Sequence, residues 1–591
     1  MKFRLLFLAA IAFWASAYSV DGQSIDSPGA RLDASMAETD VQGSVYVPLD
    51  NWVYPALDRL HALGYVDTAF FGLRPWTRVS IAHMLELSAD RVESDRNNDE
   101  ARSIYEALVR EFRPEIDHSV DRMPPRGELE SIYTQVRGIS GIPLLDSFHL
   151  GQTIVDDYGR PNESGFNNYS GFSARAEAGR FSFYFRGEVQ HAPSAVGYSA
   201  SLAAYLSNTI DGIPYSANVA QDTMPLGPVT TSNELRVMEA VLSCHVLGHE
   251  ISFGKDDHWL GPGKGASMLW GTNAENVYDF GINRVEPIRV PFLSRLTGPF
   301  RYDFFVGALR GHTLVRNPAY EADPSSGTAN VINPGDPWVH MEKISFKPTR
   351  DLEFGFDRLT LWGGAGHAPI TIHTFLHSFF SFQNVTTTEK HGRDDPGDRL
   401  GTFDFTYRLP FLSHWVTLYT DSLVHDDVSP VSAPLRSGFR PGIYLARFPG
   451  LEHLDLRLEG ASTDTSSAST QTGQFLYWES IQRQGPTNKG FLVGDWVGRQ
   501  GKGGQAWLTY HLSPQEEIQF QYRNAKAASG FLPGGTTQND YSFFASKRVV
   551  RDMEVRGWIQ FESWKAPLYK SGDQKDVAAS IQITWFVQKP M

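Results

Sequence analysis

From Leu129 to Phe586 the chain alternates apolar and polar residues with a period of two, and this pattern constrains the fold most. A period of two predicts β-strands, whose successive side chains point to opposite faces of a sheet. Roughly 18 to 20 such strands are predicted between these two residues. The clearest runs are 172–178, 181–185, 344–346, 352–356, 454–458, 518–522, 555–561 and 581–585.

The connections between these strands alternate in length. Short turns such as Gly179-Arg180 and Pro449-Gly450 alternate with long loops near 192–231, 311–335, 364–398 and 461–472. Short turns at one end and long loops at the other are typical of a transmembrane β-barrel. We therefore predict an all-β transmembrane barrel of about 18 antiparallel strands. A secreted β-propeller or a pair of β-sandwiches is the alternative, since such proteins also bury one face of each strand.

The chain begins with features of an export signal. Lys2 and Arg4 precede an apolar stretch, Leu5 to Trp14, and Ala15-Ser16-Ala17 resembles a cleavage site, which predicts a signal peptide over residues 1–17. No later run approaches the roughly 18 apolar residues that a membrane-spanning helix needs. Because only alternate residues of barrel strands face lipid, a mean hydropathy of -0.30 is compatible with a barrel in the outer membrane of a Gram-negative-type bacterium.

A change of period divides the mature chain. Residues 18–44 read as a disordered leader, 45–113 as a helical bundle, 114–128 as a Pro-rich linker and 129–589 as the barrel. We predict helices that begin at caps Asp50 and Thr77 and a third over Glu100 to Phe112. A bundle of about 65 residues is near the lower limit for independent folding, so we expect it to rest on a larger domain.

Charge and cysteine content exclude some functions. A net charge of -14 argues against nucleic acid as a partner, because phosphates require a basic surface. Cys244 is the only cysteine, so no disulfide can form within the chain. The three histidines His367, His373 and His377 lack the spacing of a zinc site, and Asp394–Asp398 lacks the spacing of a calcium loop. We predict no metal, no cofactor and, without a Gly-x-Ser-x-Gly motif, no catalytic residues.

Two stretches carry a family resemblance. Residues 46–60, continuing to Gly72-Leu-Arg-Pro-Trp-Thr-Arg78, and the block Gly254-Lys-Asp-Asp-His-Trp-Leu-Gly-Pro-Gly-Lys-Gly-Ala-Ser267 with 284–287 and 298–300 resemble capsule assembly Wzi family proteins. The resemblance implies an 18-stranded outer-membrane barrel, a helical bundle that closes its periplasmic side, and a lectin-like role in attaching capsular polysaccharide. The N-terminal helices also resemble S-layer homology modules, which implies a possible peptidoglycan contact.

The block after Gly254 contains the candidate binding residues. Aromatic rings can stack on sugars and polar groups can bind hydroxyls, so we predict carbohydrate binding by Lys255, Asp256, His258, Trp259, Lys264 and Trp270. The alternative is structural, with aromatic rings at an interface and Lys–Asp pairs inside the lumen. Gly261-Pro-Gly-Lys-Gly265 is not a phosphate loop, because Gly265 stands where Ser or Thr should be. We expect Gly261, Pro262, Gly263 and Gly265 to form a tight structural loop.

The predicted function is therefore non-catalytic binding of surface polysaccharide. Two further classes stay open at this stage. One is a sugar-selective porin, whose lumen charges would set selectivity. The other is a secreted or outer-membrane hydrolase.

Overall fold

A computed structural model describes residues 42–95, 97–118, 123–215, 221–316, 323, 325, 330–332, 337–363, 369–381, 395–412, 415–425, 437–465, 473–479, 481 and 483–587. The predicted signal peptide, the leader up to residue 41, His367 and Asp394 lie outside these residues. All structural statements below concern the described part of the chain.

Eighteen antiparallel strands form one closed barrel, in which each strand pairs with its neighbours in sequence and the last pairs with the first. The predicted barrel is thus confirmed, and the propeller and sandwich alternatives are wrong. The strands are β1 (Arg126–Ser140), β2 (Gly165–Ala178), β3 (Phe181–Ala192), β4 (Ser232–Val246), β5 (His249–Lys255), β6 (Tyr278–Arg284), β7 (Phe300–Ala308), β8 (Trp338–Thr349), β9 (Leu352–Trp362), β10 (Asp398–Arg408), β11 (Val416–His425), β12 (Gly438–Leu445), β13 (Leu454–Ser462), β14 (Gly501–Ser513), β15 (Glu516–Ala527), β16 (Thr537–Val550), β17 (Met553–Ala566) and β18 (Lys570–Phe586).

The two faces of the barrel wall differ as the alternation predicts. In β3, Phe183 and Val189 point outward and are 42% and 59% exposed, whereas Glu188 and Gln190 are buried in the lumen. Lumen-facing charges form ion pairs, for example Arg523 with Asp540 at 2.6 Å and Lys343 with Asp404 at 2.8 Å. The wall therefore has an apolar exterior and a polar, ion-paired interior.

The two ends of the barrel carry different connections. Tight turns such as 179–180, 247–248, 350–351 and 551–552 all lie at one end, which we call the short-turn end. The connections 141–164, 193–231, 256–277, 309–337, 363–397 and 463–500 lie at the opposite, long-loop end.

The N-terminal helices lie against the short-turn end. They are α1 (Val53–Ala62), α2 (Arg78–Glu86), α3 (Ala89–Ser94), α4 (Asp99–Glu111) and α5 (Arg113–Asp117), and we call them the bundle. Their apolar core continues into Tyr419 and Tyr444 on the barrel wall, so the barrel stabilises the bundle as expected for a unit of this size. The prediction contained three helices, and α3 and α5 were missed.

One predicted cap is confirmed and one is wrong. The Thr77 hydroxyl accepts a hydrogen bond from the Ser80 N–H at 3.2 Å and caps α2. Asp50 does not cap α1; its carboxylate pairs with Arg186 of the wall at 2.7 Å, and Asn51 Oδ1 accepts from the Val53 N–H instead. An ion pair to the wall thus replaces the local cap.

Boundaries near the linker differ in detail from the sequence pattern. Helix α5 begins at Arg113 and extends into the segment 114–128, and β1 already begins at Arg126. Further helices lie in the connections: α6 (Ala200–Tyr205), which continues as a π-helical turn over Leu206–Ile210, α7 (Ser294–Thr297) and α8 (Ile372–Phe380). Short 3-10 turns occur at Pro410–Leu412 and Gly473–Phe475. Two-stranded ladders join Leu145–Asp146 to Gly151–Gln152, Leu314–Arg316 to Asn330–Ile332, and Thr487–Asn488 to Phe491–Leu492.

Within the described ranges, no helix is both long and apolar enough to cross a membrane.

Candidate functional site

The connection 256–277, which contains five of the six predicted binding residues, lies inside the barrel; the sixth, Lys255, is the last residue of β5. We call this connection the lumen loop. Its side chains Leu260, Met268 and Trp270 are buried against an apolar patch on the inner wall of β7 to β11. That patch includes Phe305, Val339, Met341, Leu359, Leu361, Leu400 and Leu423. Burial of this apolar surface explains why the loop folds inward, although most of the lumen is polar.

The lumen loop meets the bundle in the middle of the barrel. Arg74 and Trp259 exchange two backbone hydrogen bonds, 3.1 and 3.0 Å long, and so form a short antiparallel bridge. The Arg74 guanidinium donates to the carbonyls of Gly261 and Gly263 and lies 5.4 Å from the centre of the Trp259 ring. The Leu49 N–H donates to Asp257. The lumen loop and the N-terminal segment therefore contact each other inside the lumen.

The glycines let the loop approach the opposite wall. The N–H groups of Lys264 and Gly265 donate to the Glu459 carboxylate at 2.7 and 3.1 Å. A Cβ at Gly263 would lie 2.3 Å from the backbone oxygen of Ala266, and one at Gly261 would lie 2.7 Å from a carboxylate oxygen of Asp421. One at Gly265 would lie 1.9 Å from a Gln505 oxygen, and Pro262 between them is buried. In this tight turn the backbone lies so close to its neighbours that a side chain would not fit at the three glycines.

Three of the predicted polar ligands have protein partners. Lys255 forms an ion pair with Glu275 and is 1% exposed. His258 lies 3.2 Å from Asp279, and its ring stacks on Phe305 at 4.0 Å. Burial lowers the pKa of His258, but the hydrogen bond and charge of Asp279 outweigh it and raise the pKa well above the usual value. Asp256 is buried nearby, and burial raises the pKa of its carboxyl.

The two tryptophans are buried as well. Trp259 donates from Nε1 to the Gly263 carbonyl at 3.1 Å, and Trp270 is 1% exposed with an edge contact to Phe305. Lys264 differs from the others because its side chain is exposed, with Nζ 5.5 Å from the centre of the Trp507 ring. The structure thus places Lys255 at the end of β5 and the other five residues in the lumen loop, and of the six only Lys264 has an exposed side chain. Sugar contact by these residues stays a prediction.

A second site, at the long-loop end, was missed by the sequence analysis. It is a groove of about 1250 Å³ between the connections 141–164, 193–231 and 567–569, and we call it the outer groove. In this groove the ring centres of Tyr198 and Tyr569 lie 4.9 Å apart, and the Tyr569 ring stacks on the Trp564 ring. Its lining also includes Glu163, Ser164, Ser194, Val196, Ser199, Ser201 and Tyr205.

A buried ion network supports the floor of the outer groove. Tyr198 donates to Asp146 at 3.2 Å, and His149 bridges Asp146 and Asp211 with 2.9 Å contacts to each. Arg499 pairs with Asp211 at 2.6 Å and so adds a third connection to the network. Burial lowers the pKa of His149, but the charges of Asp146 and Asp211 outweigh it and raise the pKa to about 9. The network therefore holds a charged histidine at neutral pH and fixes three loops relative to one another.

No local motif marks the outer groove. Its residues come from separate connections whose tips meet because β1, β2, β3, β4, β17 and β18 are consecutive around the barrel. The one sequence signal is the cluster of Tyr and Ser between residues 194 and 205, which is common in loops. Only closure of the barrel between β18 and β1 brings this cluster to Tyr569.

An 18-stranded barrel whose lumen holds its own loop, in contact with the N-terminal segment, is a plugged barrel of the outer-membrane class. Residues 135–579 match the family model described as capsule assembly protein Wzi, and the chain belongs to this family.

Two of the known proteins that resemble the chain show the extent of the similarity. An uncharacterized 55.8 kDa protein in the cps region of Klebsiella pneumoniae is 26% identical over 180 residues, 30% of this chain and 31% of that protein. The chain therefore spans about a third of the length of this curated relative. The solved structure of Escherichia coli Wzi, described as a carbohydrate-binding β-barrel involved in group 1 capsule assembly, shares the fold with a TM-score of 0.62 at 16% identity. That similarity covers 93% of this chain and 100% of the other.

Proposed function

We propose that the protein is an outer-membrane barrel that binds surface polysaccharide without catalysis and acts in capsule assembly or attachment. Family membership carries this proposal, together with the carbohydrate binding described for the Escherichia coli protein. The short-turn end with the bundle would face the periplasm and the long-loop end the cell exterior, as in bacterial barrels. The export signal at residues 1–17 would deliver the chain there.

The outer groove is the site that we propose for the polysaccharide. Ligand pockets for small molecules commonly have volumes of about 300–1,000 Å³, so a groove of about 1250 Å³ is large enough for several sugar units. Tyrosine rings offer apolar faces for the C–H surfaces of sugars, and serine hydroxyls offer hydrogen bonds. Glu163 is the charged side chain among the described lining residues, and burial raises its pKa to about 7. This lining favours neutral sugar units over acidic ones.

The lumen loop and its contact with the N-terminal segment support binding at the surface over diffusion through the barrel. The Arg74–Trp259 bridge lies across the interior, and ion pairs such as Arg440 with Glu459 and Asp495 hold the wall around it. A sugar porin would require these contacts to open. Lys264 would be the member of the lumen loop that a ligand inside the barrel could reach. Peptidoglycan contact by the bundle stays a prediction from resemblance.

The proposal is tested by deleting the gene and measuring cell-bound against shed polysaccharide. We expect the shed fraction to increase, and an unchanged ratio would contradict the function. The groove is tested separately with Tyr569→Ala, using purified protein and the polysaccharide of the same strain. An aromatic contact contributes about 0.5–1.5 kcal/mol, so binding should weaken roughly 2- to 10-fold. Tyr510→Ala removes an exposed tyrosine on the outside of β14, away from the outer groove, and should leave binding unchanged.

A further inference from the structure

Helix α8 lies on the outside of the barrel wall. Its Phe379 ring contacts Phe304 of β7 at 5.3 Å, and its Phe375 ring contacts Trp362 of β9 at 5.5 Å. Phe304 points outward, because its neighbours Asp303 and Phe305 are buried on the lumen side. The connection between β9 and β10 therefore folds back over the exterior of the wall.

Under α8 lies a polar cluster on the outer face of β8 and β9, which consists of His340, Glu342 and Arg358. His340 lies 2.5 Å from Glu342, and Arg358 donates to Glu342 at 2.9 Å. The alternation of these strands points all three side chains away from the lumen, since Met341, Lys343 and Leu359 face inward and are fully buried. A charged side chain on the lipid face of a barrel destabilises it, so this cluster requires a cover.

The helix supplies that cover with polar groups in the right places. Ser378 is 2.8 Å from the second ring nitrogen of His340. Arg358 donates to the carbonyls of Phe379 and Ser381 at 2.5 and 3.1 Å. Carbonyls at the end of a helix lack partners within the helix and carry partial negative charge, which suits a guanidinium. A capping box of Thr371 and Thr374 closes the other end of the helix.

The opposite face of α8 is exposed and mostly apolar, with Thr371 and His373 as its exposed polar residues. Ile370, Ile372, Leu376 and Phe380 are 42%, 74%, 45% and 45% exposed. A helix on a water-exposed surface shows the reverse pattern, with polar residues outside and apolar ones inside. Ile344 and Phe356 of the neighbouring strands are exposed on the same side, so the apolar face continues the lipid-facing band of the wall.

We propose that α8 is embedded in the acyl-chain region of the outer leaflet. There it shields the His340–Glu342–Arg358 cluster and anchors the connection between β9 and β10 to the membrane. The occupant of its exposed face is hydrocarbon, because burial of those side chains among acyl chains removes apolar surface from water. His373, exposed beside them, suits the boundary with the headgroups, since amphipathic side chains place an apolar body in lipid and a polar tip in water. This proposal depends on the barrel spanning a membrane and is independent of polysaccharide binding.

Spin-label accessibility tests the proposal on the full-length protein in bilayers of phospholipid and lipopolysaccharide. Cys244 is the only cysteine, so a Cys244→Ser background allows one label per variant. The test variant is Leu376→Cys. Phe356→Cys on the outer wall is the lipid control, and Val196→Cys, at an 89% exposed position in the outer groove, is the water control.

We expect the label at 376 to be relaxed by oxygen far more than by a water-soluble nickel chelate, with a ratio within about twofold of the label at 356. A ratio like that at 196 would place the helix in water and overturn the proposal. Weak relaxation by both reagents would also overturn it, because it would indicate a protein partner on this face. Retained heat-modifiable migration in gels confirms that each variant barrel is folded.

Discussion

Among the contacts that attach the bundle to the barrel, one buried arginine, Arg59 of α1, has partners on both sides. Its side chain is 1% exposed and donates to the carbonyls of Ala446 and Glu452 at 2.6 and 2.7 Å. It also pairs with Glu100 of α4 at 2.7 Å and with Asp455 of β13 at 3.2 Å. Substitution Arg59→Met keeps an unbranched side chain but leaves four acceptors without this donor.

The size of the effect follows from the burial of these partners. Loss of one member of a buried ion pair destabilises a protein by about 3–5 kcal/mol. Asp455 retains hydrogen bonds from Tyr444 and His511, so we expect a value near the lower limit, about 3 kcal/mol. Since 1.4 kcal/mol corresponds to a tenfold change in an equilibrium constant, the population of the state in which the bundle is open should increase roughly 150-fold.

Amide hydrogen exchange within α1 measures this opening, because exchange reports the population of the open state when closing is fast. The α1 amides should therefore exchange roughly 150-fold faster in Arg59→Met. The matched control is Arg110→Met on α4, because the ion pair of Arg110 with Glu106 is 3.9 Å long and largely exposed. This substitution should change the exchange rates of the α1 amides by about threefold or less. If Arg59→Met behaved like this control, Arg59 would not anchor the bundle.

Two further predictions concern the other sites. The pKa of His149 is raised to about 9 from an ordinary 6.5. Its contribution to the free energy of unfolding is therefore complete below pH 6.5 and is lost as pH rises through about 9. Titration of the imidazole by NMR measures this pKa, and a midpoint at or below 6.5 would contradict the prediction. Gly263→Ala should destabilise the lumen loop by about 1–3 kcal/mol, because the new Cβ meets the Ala266 oxygen, and should speed amide exchange at Trp259. Gly138→Ala, where a Cβ meets open space, is its control and should have little effect on the same amide.

The barrel could be predicted from the sequence because its signal is repeated and local. Each strand shows the alternation independently, and errors in one, such as the start of β1 at Arg126, do not change the architecture. The three longest bundle helices were predictable for the same reason, from their apolar period and the Thr77 cap. The short helices α3 and α5 have too few turns to show a period, and Asp50 was misassigned because its partner Arg186 is distant in sequence.

The sequence by itself thus determined which side of each strand is apolar, and through this the closed barrel and the family. Only the tertiary structure decided where the long connections go. The lumen loop, the outer groove and α8 have similar mixtures of aromatic, small and polar residues, yet one lies inside the barrel, one at its rim and one on its outer wall. The physical reason is that their positions depend on partners far away in sequence: the inner wall of β7 to β11, the closure between β18 and β1, and the charged cluster on β8 and β9.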